Sequence, residues 1–300
     1  MRTRILVIFA LLSSALLFGS GTKEATDRDS KPVVVVSILP HAYFVDQLTQ
    51  GLVEVVTLVG EGQNPHSYEP SPSQMAQLAK AKLWILSGTD FELALRQKVT
   101  GLYPNLVVVD GTRGMTFRMI EEHDHEAEGH DEHDAEHDLN IDRHTWLGHE
   151  QVKVLLANTK EALLPVLSAE SKAVVESRYQ DQISKIDVLF ASLTDQLEPL
   201  AGSTVFVYHN SFGYFLDSFS IAQEAVETGG KEPTAKALSA LIEKAKAQQP
   251  KVIFVQKQFP VASAKTVAEA VGAEVVSLDP LAYNWMESIQ TMADALMKVR

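Results

Sequence analysis

Residues 33–59 read VVVVSILPHAYFVDQLTQGLVEVVTLV, and this stretch decides the fold. Val33 to Ile38 is a nearly unbroken apolar run, His41 to Gln50 reads as a helix, and Val53 to Val59 is a second apolar run. Strands without alternation, separated by a helix, predict a parallel sheet covered on both faces. The same grammar continues outward. Ser71 caps a helix that opens on Pro72 and carries Met75, Leu78 and Ala79 at helical spacing. Leu83 to Leu86 and Leu106 to Val109 read as further strands, the latter ending in Asp110 and Gly111.

Two helical stretches follow, Glu150 to Leu163 and Ala169 to Leu197. In the second, Val175, Tyr179, Ile183, Ile186, Leu189, Phe190, Leu193 and Leu197 recur at three and four residues. A helix over that range is roughly 43 Å long, more than a small domain is wide, so it is expected to join two lobes. Beyond it the pattern repeats: strand Thr204 to Tyr208, helix near Phe212 to Phe219, helix Thr234 to Ala247, strand Val252 to Val255, helix Val261 to Val271, strand Glu274 to Leu278 and a last helix. The expected architecture is α/β, with two parallel-sheet lobes joined by one long rigid helix and a cleft between them. Its boundaries are 33–165 for the N-terminal lobe, 166–200 for the linker and 201–300 for the C-terminal lobe.

Composition narrows the function. With 45% hydrophobic and 22% charged residues in 300, the chain has material for a large core. It contains no Cys, which excludes disulfides, thiolate metal sites and a thioether lipid anchor. The formal charge is −13, but residues 121–138 hold ten Asp or Glu and no Lys or Arg, leaving −3 for the rest. That balance argues against a nucleic-acid partner, which requires a basic face. At the N-terminus, Arg2 and Arg4 precede a 14-residue apolar or small run, Ile5 to Phe18, and then Gly19, Ser20 and Gly21. Residues 1–21 therefore read as a secretion signal, too short to span a membrane, and 22–32 as a polar disordered leader.

Ligands of open α/β sheets bind beyond the carboxyl ends of strands. Four metal-capable side chains are expected at such places: His66 after the second strand, His144 before the Glu150 helix, His209 directly after Tyr208 and Asp279 directly after Leu278. Taken singly, each imidazole is better read as a hydrogen-bonded structural group. Taken together, three imidazoles and one carboxylate make an N3O shell that suits zinc.

The residues around these four positions resemble those of the metal-binding solute-binding proteins of bacterial ABC importers for zinc and manganese, particularly the zinc-uptake branch. Asn64-Pro65-His66-Ser67-Tyr68-Glu69-Pro70-Ser71 resembles that family's Pro-His-x-Tyr-Glu-Pro motif. Asp142-Arg143-His144-Thr145-Trp146-Leu147 is similar to its Asp-x-His-x-Trp-Leu motif, Val207 to Phe215 to its third motif and Leu278-Asp279-Pro280-Leu281 to its fourth. The resemblance runs from about Val33 to Arg300 and implies a periplasmic Zn2+-binding protein, with no enzymatic activity, that serves an ABC transporter permease. Members of the manganese type carry Glu where this chain has His209, which tilts the reading to zinc. Two departures stand out: Gly148-His149 replaces a frequent Asp-Pro or Ser-Pro pair, and Gln256 stands where Glu is frequent. Ser20 lies near the place where lipoproteins of the family carry an anchoring Cys, so a free periplasmic protein is expected.

The acidic block carries five of the ten histidines, His123, His125, His130, His133 and His137, and resembles the His- and acid-rich loop of zinc-type members. Spacings of 2, 5, 3 and 4 fit no single rigid site, so several weak, exchanging zinc sites are expected. His41 and His149, both near helix starts, are read as structural. Tyr68, Trp146 and Tyr208 are expected to pack behind the ligands and Trp285 to anchor the last helix. A stiff linker resists wide hinge closure, so release is expected to use a small tilt or a local loop movement.

Other classes remain to be separated. A manganese- or iron-binding member would share the four motifs, and a zinc buffer or adhesin would rely on the loop. A zinc hydrolase would keep an open coordination position, but neither His-Glu-x-x-His nor Gly-x-Ser-x-Gly occurs. Nothing signals homo-oligomerisation, and a monomer is expected.

Overall fold

The computed structural model describes residues 31–120, 141–227, 234–259 and 261–299. The expected secretion signal, nearly all of the leader and the His- and acid-rich loop lie outside the described residues. Lys31–Arg300 forms one compact unit.

Two four-stranded parallel sheets organise it. The first contains β1 (Val33–Ile38), β2 (Glu54–Val59), β3 (Leu83–Leu86) and β4 (Val107–Asp110) in the order β2-β1-β3-β4. The second contains β5 (Thr204–His209), β6 (Ala222–Glu227), β7 (Val252–Gln256) and β8 (Glu274–Leu278) in the order β6-β5-β7-β8. The two halves thus repeat one topology, as the sequence grammar predicts. In each, strand order reverses beside the first strand, and that reversal opens a crevice at the strands' carboxyl ends. β1 pairs on both sides, Val34 with Val55 and with Leu83, and Val34, Val35, Val36 and Ile38 are inaccessible to solvent. This is why the run shows no polar alternation.

β6 was not legible in the sequence. Ala222-Gln223-Glu224-Ala225-Val226-Glu227 has one β-branched residue and three polar ones, and it occupies a sheet edge, where the requirement for apolar residues is relaxed. The helix read near 212–219 is shorter, α6 (Gly213–Asp217).

The remaining helices are α1 (Leu39–Thr49), α2 (Pro72–Lys80), α3 (Asp90–Leu102), α4 (His149–Leu163), α5 (Ala169–Leu197), α7 (Ala235–Gln248), α8 (Val261–Val271) and α9 (Trp285–Leu296). α1 begins beside Pro40, where a missing N–H costs nothing, and ends as Gln50 and Gly51 take φ of 45° and 85°. α2 opens on a capping box in which Ser71 and Gln74 exchange side-chain and backbone bonds.

α5 spans the same 29 residues that the periodicity marks. Ser168 accepts the Ser171 N–H at its start, and Val175, Gln182, Ile186, Phe190, Leu193 and Leu197 form its buried stripe. Along its length it meets both lobes in turn. Arg178 reaches the Leu48 carbonyl of α1, Asp187 accepts from His149 and Lys153 of α4, and Gln196 donates to Asp294 of α9. The linker is thus packed against both lobes along its length.

Two indoles tie the lobes together. Trp146 Nε1 donates to the Pro280 carbonyl at 2.8 Å, and Trp285 Nε1 donates back to the Trp146 carbonyl at 2.7 Å. The Trp285 ring packs on Phe44 of α1 and Phe190 of α5, so it anchors the last helix to both. The main apolar cluster is accordingly continuous from Val35 and Leu48 to Phe215, Leu278 and Met292.

His41 lies in this core with no solvent access. Its Nε2 is 2.7 Å from Thr159 Oγ1 and its Nδ1 is 2.8 Å from Ser87 Oγ. The Thr159 hydroxyl donates to the Leu155 carbonyl, so its oxygen accepts from Nε2–H, and Nδ1 accepts from Ser87. Burial pushes the His41 pKa down to about 3. The folded state therefore keeps His41 neutral while the unfolded chain takes a proton near its ordinary 6.5. The stabilisation is complete above 6.5 and is lost as pH falls toward 3. In urea unfolding of metal-free protein, His41→Asn is expected to flatten the pH dependence across that window by up to about 1.4 kcal/mol per pH unit. Identical slopes in the two proteins would contradict the assignment. Phe190→Ala, which empties the contact between α5 and Trp285, is expected to cost about 3–5 kcal/mol. The exposed Val188→Ala should stay within about 0.5 kcal/mol in the same assay.

Candidate metal centre

Two of the predicted imidazoles sit on locally fixed turns and the third ends a strand. His66 sits in a single 3-10 turn, Pro65–Ser67, after β2; Asn64 caps it, its side chain accepting the His66 N–H at 2.9 Å. His144 precedes a similar turn, Thr145–Leu147, and its N–H donates to Asp142 Oδ1 at 3.0 Å. His209 is the last residue of β5.

The structure brings these three together. His209 Nε2 is 2.9 Å from His66 Nε2 and 3.3 Å from His144 Nε2. Among the described residues they form a group whose ligand atoms all lie within 4.8 Å of one another. His66 Nδ1 is 2.8 Å from Asp90 Oδ2, and His144 Nδ1 is 2.9 Å from Asp142 Oδ1. A carboxylate only accepts, so both Nδ1 atoms carry the hydrogen and both Nε2 atoms present lone pairs to the cleft. A hydrogen on His209 Nε2 satisfies one of those lone pairs, whereas a cation satisfies all three imidazoles. Bonds of 2.0–2.1 Å to a tetrahedral ion place ligand nitrogens about 3.3 Å apart, which is the scale observed here.

Asp279, the fourth predicted ligand, does not join this group. Its Oδ1 accepts the Leu281 N–H at 3.0 Å and Gln258 Nε2 at 2.8 Å, and its Oδ2 faces Lys257 Nζ at 3.7 Å. The carboxylate caps its own turn, while Pro280 and Leu281 beyond it line the cleft, an open cavity of about 410 Å³. The five loop histidines lie outside the described residues. His41 is the core residue described above. His149 stacks on Phe190 at 4.5 Å and bonds Asp187, a structural position as expected.

Asp90, which the sequence reading did not single out, bonds the His66 ring. Besides His66 it holds Arg143 Nε at 2.8 Å. Burial favours its neutral form, but the hydrogen bond from His66 and the positive Arg143 guanidinium outweigh it and hold the carboxyl below its ordinary value. Its loop is fixed by Glu92, which accepts the N–H groups of Ser87, Gly88 and Thr89 at 2.7, 2.7 and 3.0 Å. Burial pushes the Glu92 carboxyl up to about 7 against the opposing pull of these bonds. Thr89-Asp90-Phe91-Glu92 at the end of a predicted strand, with Glu three residues after Thr, was the available signal.

Aromatic groups back the imidazoles: Trp146 edge-on to His144 at 5.4 Å and Phe259 over His209 at 4.7 Å. Tyr68 packs on Phe91, and Tyr208 packs on Phe259. Tyr214 crosses from α6, its hydroxyl donating to the Asp142 carbonyl and accepting the Arg118 N–H, both at 2.8 Å. Arg118 in turn bonds Asp217 at 2.8 Å and approaches Asp142 Oδ2 at 3.4 Å. Gly148 permits this approach, since a Cβ there would stand 2.9 Å from Tyr214 Cβ.

Two parallel α/β lobes that close on one cleft lined by converging imidazoles define a solute-binding protein of the metal-ion class. The chain matches the zinc-uptake complex component A family, described as periplasmic, over residues 34–299, and it belongs to that family. The high-affinity zinc uptake system protein ZnuA of Yersinia pestis is 26% identical over 91% of this chain and 88% of its own length. A crystal structure of ZnuA superposes with a TM-score of 0.80 at 27% identity, covering 90% of this chain and 99% of that one. A zinc-bound ZnuA lacking its residues 138–173 gives 0.79 at 28% identity, with 90% and 98% coverage.

Tyr214→Phe would leave the Arg118 N–H and Asp142 carbonyl without their shared partner. Chemical denaturation is expected to register a loss of about 1–3 kcal/mol. A variant as stable as wild type would remove Tyr214 as the tie between α6 and the His144 segment.

Proposed function

We propose that this chain captures Zn2+ outside the cytoplasm and delivers it to the membrane permease of an ABC importer. The observation that carries the reading is the convergence of three imidazole nitrogens, two with lone pairs fixed by carboxylates. His66, His144 and His209 each supply one neutral nitrogen. Three nitrogen donors in a small tetrahedral arrangement favour zinc over manganese, which prefers oxygen and six ligands. Asp279 is the carboxylate available for the fourth position, and to reach it the side chain must leave Gln258 and the Leu281 N–H. Residues 1–21 act as the secretion signal, and among the described residues no helix is long and apolar enough to cross a membrane. The family is a transport component, and the role assigned here is binding rather than turnover. The protein works as a monomer and takes no nucleic-acid partner.

His123, His125, His130, His133 and His137 form accessory weak sites that raise the local zinc concentration. This role is separable from the cleft. Calorimetric zinc titration of metal-stripped protein, with and without residues 121–138, is expected to retain one tight site in both, with manganese binding far weaker. Loss of that site with the loop would make the protein a loop-based zinc buffer. His144→Ala should abolish tight binding, and Asp279→Ala should cost less than removing any one imidazole. Protons compete for imidazole nitrogen, so binding by the His-rich loop is expected to weaken as pH falls through roughly 6.5.

A further inference from the structure

Gln256 is buried at the end of β7, beside His209 at the end of β5, on two strands that pair in parallel with Phe206 opposite Ile253 and Val207 opposite Phe254. At residue 209 the Gln256 side chain bonds the neighbouring backbone. Its Oε1 accepts the His209 N–H at 3.1 Å, and its Nε2 donates to the His209 carbonyl at 2.6 Å and to Ser211 Oγ at 2.7 Å. The arrangement demands one acceptor and one two-hydrogen donor on the same planar group, which among side chains of this length only a carboxamide supplies. It leaves no freedom to flip, because exchange of oxygen and nitrogen would set like against like at both His209 groups.

We propose that Gln256 is a specificity-determining positioning residue of the metal site. It fixes the backbone of residue 209 from both sides, and Phe259, three residues further along, packs on the imidazole. The third nitrogen is thereby held at 2.9 and 3.3 Å from the other two. A ligand set held this tightly suits a small four-coordinate ion and resists the expansion that a six-coordinate ion requires. Gln256 acts through His209 and not by touching the ion, so its effect should fall on affinity and geometry together. This inference rests on the three-imidazole site proposed above.

The test uses metal-stripped full-length protein and three variants: Gln256→Met, which keeps the length and removes both polar functions; Gln256→Glu, which keeps the length and sets an oxygen against the His209 carbonyl; and His209→Ala. Zinc and manganese affinities are measured by chelator competition, and Co2+ is added as a probe whose visible absorption is strong in a tetrahedral site. Gln256→Met is expected to lose 10- to 100-fold in zinc affinity, and Gln256→Glu less, because a protonated carboxyl can still accept the His209 N–H and donate to its carbonyl. Manganese should weaken less, so that the preference narrows, and the tetrahedral Co2+ absorption should diminish. If Gln256→Met does not fold, Gln256→Leu carries the same comparison. Zinc affinity within twofold of wild type in Gln256→Met, with His209→Ala defective, would overturn the proposal and leave the site intact. A loss of affinity with the Co2+ spectrum and the metal preference unchanged would mark a purely structural role and overturn it as well. Full zinc affinity in His209→Ala would instead overturn the three-imidazole site itself.

Discussion

Three imidazole nitrogens, each bearing a lone pair or its single hydrogen, do not gather with one of them 2.9 and 3.3 Å from the other two by their own chemistry. The single hydrogen on His209 Nε2 satisfies one facing lone pair, and the other stays without a partner in the cleft until a cation enters. The scaffold must therefore impose it. Two of the three rings are oriented by a carboxylate on Nδ1, Asp90 for His66 and Asp142 for His144. The third is set through its backbone by Gln256. The carboxylates do more than orient the rings: they place negative charge behind the donors.

Orientation of each ring is useful only if the two lobes that carry them keep their spacing. Here the lobes share a core. The reciprocal indole bonds of Trp146 and Trp285 join backbone carbonyls on either side of the cleft, and Tyr214 joins α6 to the segment just before His144. α5 runs behind both lobes and presents Phe190 to Trp285. Each tie is a buried polar group with its partner in the other lobe, so separating the lobes would leave several donors and acceptors unsatisfied at once. A cost of that kind favours local rearrangement over wide opening.

The legible part of this organisation follows from burial. Strands covered on both faces must be apolar throughout, so β1, β3, β5 and β7 could be read directly, and the buried stripe of α5 marked its full length. β6, an edge strand in which three of six residues are polar, has no such requirement and left no mark. The same division holds at the site. The three histidines were found because strand ends are where α/β sheets place ligands, and their motifs are local. Asp279 satisfied the same positional rule, yet its carboxylate is taken by its own turn and by Gln258, competition that spacing cannot express. Asp90 and Gln256 act through side-chain geometry across 24 and 47 residues of sequence, which no local pattern encodes.

The three arms of the site differ in their access to water, and this difference orders their roles. Asp142 is wholly buried and His209 nearly so, whereas Asp90 keeps 47% of its side-chain surface exposed and His66 keeps 23%. Desolvation has already been met on the His144 and His209 side, where a charge meets fixed dipoles and no competing solvent. On the His66 side water can replace a lost contact at small cost, and Arg143, bonded to the same Asp90, can hold the carboxylate when His66 turns away. The imidazoles of His144 and His209 are thus enclosed by protein, while the pair of Asp90 and His66 borders solvent.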